Sequence, residues 1–204
     1  MTGVMRKSLL VVDVQNDFCP GGTLAVTNGN KVVEPLNRMI TFFSKNTWQV
    51  ILSRDWHPRE TKHFKEFGGI WPVHCVQNTP GADFHPKLLI SPKTYIISKG
   101  YSNTDDGYSP FEGVWLRIKD WPISLEALLW RTSELYIGGL ATDYCIKAAC
   151  LDARKIGYTV YLLTDACRAV NLKPTDEADA LKEMRQAGVI FTTTDEVLNQ
   201  NESS

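Results

Sequence analysis

Six short apolar runs, separated by helical patterns, constrain the fold of this chain more than any other feature of its sequence. Each run is nearly continuous and rich in β-branched residues, which is typical of strands buried on both faces. Strands of this kind form parallel sheets, in which crossover helices cover both faces. The runs are "SLLVVD" (8–13), "WQVILS" (48–53), "TYIIS" (94–98), "LYIGG" (135–139), "TVYLLT" (159–164) and "VIFTT" (189–193).

Helical patterns lie between several of these runs. Residues 32–43 place their apolar side chains on one face, and further helices are predicted at roughly 142–156 and 175–187. Because strands and helices alternate, we predict an α/β fold, a three-layer sandwich with a six-stranded, mostly parallel sheet and helices on both faces. Residues 1–204 are predicted to form one domain with a frayed polar tail at 199–204.

Charge and cysteine usage narrow the class of partner and the compartment. The 22 lysines and arginines balance 23 acidic residues without a long basic run, so we predict no nucleic-acid or membrane partner and favour a small neutral substrate. The apolar run near the N-terminus is too short for a signal peptide or a membrane span, which favours a cytoplasmic protein. Five scattered cysteines without a CxxC pair fit a reducing compartment.

Polar residues follow three of the predicted strands at the edge where parallel sheets bind ligands. Asp13 ends the first run, Lys99 follows the third, and the fourth leads through two glycines to Cys145. We predict that Thr142 caps the next helix, which places Cys145 in its first turn. Free N–H groups there, together with Lys99, are expected to lower the pKa of the thiol and make it a nucleophile.

A buried cysteine is more often a small hydrophobe than a nucleophile. For Cys145 the helix start and the two charged neighbours favour the nucleophile. Cys150 lies about 140° further round the same helix, so the two thiols cannot share one site. We therefore assign Cys150 to the core, together with Cys19, Cys75 and Cys167.

A second group of donors lies in the long, irregular segment at about 54–93, which is rich in His, Pro and Gly. Asp55 and His57 follow the second run, and His63 and His74 lie further along the segment. Neutral imidazoles with a carboxylate suit zinc, iron or manganese. Loops this long inside a compact domain are usually functional, so we predict one divalent transition metal ion there and no organic cofactor.

Two acidic residues compete with His63 for a place among these donors. Glu60 and Glu66 are close enough in sequence to bind the same ion, and this alternative stays open. His85, which precedes a proline, is interpreted as a turn residue. Aromatic residues near the loops could form the walls of a pocket for a flat ring. They are Phe18, Trp56, Trp71 and Tyr108.

No GxGxxG, Walker A or GxSxG sequence occurs, which argues against nucleotide binding and serine hydrolase chemistry. Several ungapped blocks together resemble the nicotinamidase/pyrazinamidase group of the isochorismatase-like cysteine hydrolases, and the resemblance covers about residues 7–193. The blocks are "VVDVQNDFCPGG", "DWHP", "WPVHCVQNTPGADFHP", "SKG", "YSPFEG" and "GLATDYC".

The resemblance implies a role for each matching residue. Asp13, Lys99 and Cys145 match the family's catalytic triad. Asp55, His57 and His74 match its metal ligands, and His63 matches a histidine that only some members use. The resemblance also implies a cis peptide bond between Leu140 and Ala141, an oxyanion hole formed by the N–H groups of Ala141 and Cys145, and a substrate pocket lined by Phe18, Trp71 and Tyr108.

The implied activity is hydrolysis of nicotinamide, and of pyrazinamide, to the corresponding acid and ammonia. It proceeds through a thioester on Cys145, with the metal orienting the pyridine ring, and serves NAD salvage. The alternatives are a metal-free amidohydrolase or isochorismatase acting on a non-pyridine substrate, and a non-catalytic metal-binding module. The sequence leaves open the metal, the preference between the two amides and the oligomeric state, and a homo-oligomer is compatible with it.

Overall fold

A computed structural model describes residues 6–116 and 121–202 of the chain. One eight-stranded sheet crosses the described residues in the order β5-β4-β3-β2-β1-β6-β7-β8. The strands are β1 (Arg6–Val12), β2 (Gln49–Asp55), β3 (Tyr95–Lys99), β4 (Val114–Trp115), β5 (Ile123–Ser124), β6 (Thr132–Leu140), β7 (Thr159–Arg168) and β8 (Ile190–Thr192).

The predicted α/β fold is confirmed, but the sheet has eight strands rather than six. The six predicted runs correspond to β1, β2, β3, β6, β7 and β8, which pair in parallel. The two additional strands, β4 and β5, are antiparallel and extend the edge beyond β3. Each has only two residues, which is too short for an alternating pattern to reveal it.

Helices cover both faces of the sheet. They are α1 (Val33–Lys45), α2 (Leu125–Leu128), α3 (Lys147–Ile156), α4 (Asp176–Gln186) and α5 (Thr194–Glu202). In β1, Leu9 packs in the cluster that contains α1 and α5, and Leu10 in the cluster that contains α2, α3 and α4. Full burial of one such side chain stabilises the fold by roughly 1.5–3 kcal/mol. The continuous apolar run of β1 is therefore explained by burial on both faces.

The parallel pairing brings the strand ends with polar residues to one edge. β1 lies between β2 and β6, with Leu10 opposite both Ile51 and Ile137. Asp55 and Lys99, the last residues of β2 and β3, are paired in register. The carboxyl ends of β1, β2, β3 and β6 therefore meet where the sequence predicts a site.

Two local predictions near the helices are wrong. The turn before α3 is π-helical over Thr142–Ile146, and Ala141, whose backbone is extended, precedes it as the capping residue. Thr142 is already inside the turn, so its hydroxyl makes no capping bond and has no hydrogen-bond partner among the described residues. The predicted frayed tail is helical as far as Glu202, since α5 continues through it, and 203–204 lie outside the described residues.

The segment between β2 and β3 is irregular, as predicted. It contains short 3₁₀ turns at Lys65–Phe67 and Pro80–Ala82 and several isolated backbone bridges. Because it has no long helix or strand, its shape depends on hydrogen bonds to the neighbouring loops. Within 6–116 and 121–202, no helix is both long and apolar enough to cross a membrane.

Candidate active site

The structure brings Asp13, Lys99 and Cys145 together at the carboxyl edge of the sheet. Lys99 Nζ lies 2.8 Å from Asp13 Oδ2 and 3.4 Å from Cys145 Sγ. All three residues are buried. Asp13 adopts a left-handed conformation with φ of 51°, and its Oδ1 accepts a 2.7 Å hydrogen bond from the hydroxyl of Ser53. The side chains at the ends of β1 and β3 therefore face the first turn after β6.

The Lys99 ammonium contacts the carboxylates of both Asp13 and Asp55. Burial lowers the pKa of Lys99, but the two carboxylates raise it more, so the pKa lies well above its usual value. Burial raises the pKa of Asp13 to about 6, although Lys99 opposes this. Burial also raises the pKa of Asp55, but Lys99 and the nearest histidines outweigh it, and the pKa stays well below the ordinary value.

These opposite pKa shifts separate the roles of the two carboxylates. Asp13 can accept and return a proton near neutral pH, whereas Asp55 remains ionised. Pairs of acids whose environments move their pKa values apart are typical of acid–base catalysis. Asp13 is therefore the group suited to proton transfer at this site.

The expected lowering of the Cys145 pKa is wrong for the resting protein. Burial raises the pKa of the thiol well above its ordinary value, and Asp13 and Asp55 add to the increase, while Lys99 lowers it. The sequence revealed the cation but not the burial of Cys145. Since Cys145 Sγ lies within 4.8 Å of a carboxylate oxygen of Asp13, the thiol has a base beside it.

Backbone geometry explains the second of the two glycines that precede the thiol. Gly139 has φ of +134°, and a Cβ there would lie 2.0 Å from the backbone oxygen of Val12. A side chain would therefore separate β6 from β1 next to Asp13. The peptide bond between Leu140 and Ala141 is cis, as the resemblance implies.

His57, His63 and His74 form a buried cluster beside the thiol, and one ring nitrogen of each lies within 4.8 Å of the others. His57 packs against the backbone of Gly100, where a Cβ would lie 2.4 Å from His57 Cε1. Gly100 has φ of +60°, which also favours glycine. The "SKG" block is thus explained at both positions, since Lys99 joins the carboxylates and Gly100 makes room for the imidazole.

The partners of these imidazoles fit a bound metal ion. His63 Nδ1 is 3.2 Å from Asp106 Oδ1, and His74 Nδ1 is 2.7 Å from the carbonyl oxygen of Pro72. Such contacts orient a ring and leave the other nitrogen for an ion. Neither ring nitrogen of His57 has a hydrogen-bond partner within 6–116 and 121–202, although the side chain is fully buried. An unsatisfied buried imidazole is costly, and a metal ion would satisfy it.

Asp55 completes a donor set that fits a divalent transition metal ion. Its Oδ2 lies 3.6 Å from His57 Nε2 and 3.8 Å from His74 Nε2, while Oδ1 contacts Lys99. Burial, with smaller contributions from neighbouring charges, lowers the pKa of His63 to about 4, so its ring is neutral. Three imidazoles and one carboxylate suit zinc, iron or manganese.

The competing donors are placed elsewhere. Glu60 and Glu66 are exposed and do not belong to the cluster, whereas His63 is buried within it. His85 Nδ1 accepts a 3.2 Å hydrogen bond from the N–H of Lys87, in agreement with a turn residue. The cysteines assigned to the core are all buried and free, as predicted: Cys19, Cys75, Cys150 and Cys167.

Phe18, Trp71 and Tyr108 line a narrow cavity of about 30 Å³ that ends at Cys145 and is bordered by Ala141. The Trp71 indole N–H donates a 2.9 Å hydrogen bond to the Tyr108 hydroxyl. The predicted aromatic walls therefore form one surface facing the thiol. Trp56 lies outside this lining, because its ring packs on the Arg54 guanidinium at 3.6 Å. A larger groove of about 810 Å³ runs along α1 and contains none of the catalytic, metal-ligand or aromatic residues proposed for the site.

Several residues of the cavity and its support were not predicted. The Tyr144 ring meets Trp71 edge to face at 4.9 Å and completes the aromatic wall. Gln15 and Asp17 bind the backbone of the donor segment. Tyr144, Gln15 and Asp17 lie inside the sequence blocks that resemble the family, and that resemblance could have identified them. No sequence signal identifies the remaining lining residues, Leu24, Asp106, Gly107 and Val170.

Comparison with known proteins defines the class. A family model for the isochorismatase domain matches residues 7–196. The chain therefore belongs to the isochorismatase family. Its α/β fold and its mostly parallel sheet with helices on both faces agree with the solved structures of that family.

The similar proteins in this family include nicotinamidases and pyrazinamidases. The nicotinamidase of Escherichia coli strain K12 is 40% identical, and the match covers 92% of this chain and 94% of that protein. The crystal structure of the pyrazinamidase of Pyrococcus horikoshii in complex with zinc has a TM-score of 0.83 and 39% identity, covering 92% and 99%. The structure of PnC1 from L. infantum in complex with nicotinate has a TM-score of 0.82 and 31% identity, covering 94% of each chain.

Proposed function

We propose that this protein is a nicotinamidase, which hydrolyses nicotinamide to nicotinate and ammonia in NAD salvage and also accepts pyrazinamide. The observation that carries the proposal is a buried thiol that lies next to the Lys99–Asp13 ion pair and lines one cavity together with His63 and His74 of the histidine cluster. The names of the relatives agree with it, since they include a nicotinamidase at 40% identity and a pyrazinamidase bound to zinc.

Acylation begins with proton transfer from Cys145 to Asp13. The proton has a nearby acceptor, because the Asp13 carboxylate is ionised above its pKa of about 6. Lys99, 3.4 Å from the sulfur, stabilises the thiolate that forms. The thiolate attacks the carboxamide carbon, and the N–H groups of Ala141 and Cys145 hold the oxyanion.

Asp13 then returns the proton to the leaving nitrogen, so the C–N bond breaks and ammonia departs. The product of this half-reaction is a thioester on Cys145. A water molecule then transfers a proton to Asp13 as its oxygen attacks the thioester carbon. The C–S bond breaks, Asp13 gives the proton to the departing sulfur, and the carboxylic acid is released with the Cys145 thiol regenerated. One carboxyl group acts in both half-reactions, for which a pKa near neutrality is suited.

Asp55, His57, His63 and His74 would hold the divalent metal ion, whether zinc, iron or manganese. A bound ion supplies a ligand position for the pyridine nitrogen, and orientation of this kind lowers the barrier by several kcal/mol. The aromatic walls hold the two faces of the ring. Because Asp55 also contacts Lys99, the residues that position the ring and those that attack it share one side chain.

We further propose a single catalytic domain working in the cytoplasm. The family model covers residues 7–196, nearly all of the chain. The five cysteines are buried and free, which suits a reducing compartment.

The proposal is tested by ammonia release from nicotinamide, with elemental analysis of the same sample. Benzamide, which lacks the ring nitrogen, is the matched substrate. We expect turnover of nicotinamide, much weaker turnover of benzamide, about one divalent ion per chain and loss of activity on chelation. Absence of ammonia release from nicotinamide by metal-loaded protein would contradict the proposed function. Equal turnover of both amides, unchanged by chelation, would favour the metal-free alternative.

A further inference from the structure

Gln15 occupies a buried position between the predicted base and the donor segment. Its side chain is fully buried and lies two residues beyond Asp13. Its Nε2 group donates hydrogen bonds to the carbonyl oxygens of Asp55 at 2.8 Å and Ala82 at 2.9 Å. Its Oε1 accepts a 2.8 Å hydrogen bond from the N–H of Asp55. The amide thus uses both N–H donors and its oxygen to bind backbone.

The path of β1 explains why Asp55 needs this partner. Pairing between β1 and β2 ends with Val12 opposite Ser53, and the N–H of Asp13 then binds the carbonyl of Ser53. The left-handed conformation of Asp13 turns the chain away from the sheet. On that side no strand residue pairs with Asp55. The Gln15 amide binds both the N–H and the carbonyl of Asp55, as a neighbouring strand would.

The Asp55 carboxylate lies between the ammonium of Lys99 and two of the histidines. Its Oδ1 contacts Lys99, and its Oδ2 faces His57 Nε2 and His74 Nε2 at 3.6 and 3.8 Å. A shift of its backbone would move the carboxylate relative to the histidines and to the ammonium together. Metal affinity is sensitive to groups that orient the ligands without touching the ion.

We propose that Gln15 is a positioning residue that fixes the Asp55 carboxylate for metal binding by replacing the absent strand partner of its backbone. The inference rests on the proposed function, since it assumes that Asp55 is a metal ligand. The Gln15 amide is used on the backbone of Asp55 and Ala82, so it acts through Asp55 rather than on the substrate.

A second side-chain amide provides a matched control. Asn37, in α1, donates a 2.7 Å hydrogen bond to the carbonyl oxygen of Lys87 and accepts a 2.8 Å bond from the N–H of Leu89. It therefore binds backbone with both a donor and the acceptor, as Gln15 does. However, it lines the groove along α1 and not the cavity. Loss of this amide removes similar hydrogen bonds without reaching the predicted metal ligands.

The test compares Gln15→Met with Asn37→Leu, both close in shape to the original side chain. Zinc dissociation constants are measured by competition with a chromophoric chelator, and visible absorption spectra are recorded after loading with cobalt(II). We expect Gln15→Met to raise the zinc Kd by about 10- to 100-fold, as for other groups that orient ligands. We also expect it to alter the cobalt spectrum, whereas Asn37→Leu leaves both unchanged.

Unchanged zinc affinity and an unchanged cobalt spectrum in folded Gln15→Met would overturn the inference, as would equal weakening in Asn37→Leu. If Gln15→Met does not fold, Gln15→Asn keeps the amide but withdraws it by one methylene, and its zinc Kd decides in the same way. A wild-type protein that hydrolyses nicotinamide without binding either ion would remove the metal site itself. If the wild type binds zinc and Gln15→Met weakens that binding as expected, but the wild type does not hydrolyse nicotinamide, only the proposed activity is contradicted.

Discussion

The candidate active site has two halves, which are held in place by different means. The nucleophile half consists of Asp13, Lys99 and Cys145, which lie at or just after the ends of β1, β3 and β6. The histidine half consists of His57, His63 and His74, on the irregular segment between β2 and β3. Ladder hydrogen bonds of the sheet fix the strand ends of the first half, whereas isolated backbone bridges, such as that between His57 and Val76, and individual side-chain contacts fix the second.

Contacts to the segment show how an irregular backbone can still present a defined donor set. Asp17 accepts hydrogen bonds from the N–H of Cys75 at 2.8 Å and of Thr23 at 3.2 Å, which anchors the residue after His74. A Cβ on Gly81 would lie 2.1 Å from the Asp17 carboxylate, so glycine is required for this close approach. The loop after β1 therefore supplies the order that the segment lacks on its own.

Removal of the Cys145 thiol should have the largest effect, and it should affect the nucleophile half without affecting the histidine half. For Cys145→Ala we expect the rate of ammonia release from nicotinamide to fall by at least about 10⁴-fold, because nucleophilic catalysis is lost. The metal content should stay that of the wild type, since no imidazole contact changes. Steady-state kinetics and elemental analysis of one preparation measure both. Appreciable residual turnover would remove Cys145 from its role as nucleophile.

Cys150→Ala is the matched control for this prediction. Cys150 is a fully buried thiol of α3 that packs in the core and, unlike Cys145, does not line the cavity. Its truncation should lower the free energy of unfolding by about 1 kcal/mol, and catalysis by the folded protein should be retained. A loss of activity as large as in Cys145→Ala would mean that packing, not chemistry, explains both variants.

The meeting of Asp13 and Lys99 in the nucleophile half can be predicted from the sequence for a physical reason. Strand ends can be located from apolar runs, and parallel pairing then places Asp13 and Lys99 at one edge without further information. The same reasoning gave the six parallel strands. It missed β4 and β5, whose two residues each carry no periodic signal.

The remaining features depend on contacts between segments far apart in the chain. The choice of His63 over Glu60 follows from how the segment folds back, which spacing alone cannot decide. Burial reversed the expected shift of the Cys145 pKa, because desolvation depends on all the neighbours of the sulfur. Gln15 was missed because an isolated glutamine has no pattern that indicates which backbone it binds.

His57→Ala should damage the histidine half and reach the nucleophile half only through substrate placement. We expect loss of bound metal together with a fall in kcat/KM of about 10²-fold, since a misplaced ring reacts slowly. Alkylation of Cys145 by a small electrophile should continue. Titration with zinc and alkylation kinetics measure the two effects. His85→Ala, at the turn histidine, is the control and should change neither; unaltered zinc binding in His57→Ala would exclude that residue as a ligand.

A smaller effect is expected from pH, and it should appear in the nucleophile half. Burial raises the pKa of Asp13 to about 6, and only the ionised form can accept the thiol proton. Below about pH 6, kcat/KM should therefore fall roughly tenfold per pH unit, and above it the rate should level off. Initial rates of metal-saturated protein check this fall in kcat/KM. They are measured from about pH 4.5 to 8, which brackets the titration of Asp13. A profile that is flat down to pH 5 would contradict the assignment of Asp13 as the base.

The smallest expected effect concerns the wall that connects the halves. Tyr108→Phe removes the hydroxyl that accepts the Trp71 indole hydrogen bond, at a net cost of about 0.5–1.5 kcal/mol. If this bond holds the wall against the substrate ring, KM for nicotinamide should rise about 2- to 10-fold with little change in kcat. Tyr144→Phe is the control, because the Tyr144 ring meets Trp71 edge to face rather than through a hydrogen bond. An equal rise of KM in both variants would show that the effect is not specific to the hydrogen bond between Trp71 and Tyr108.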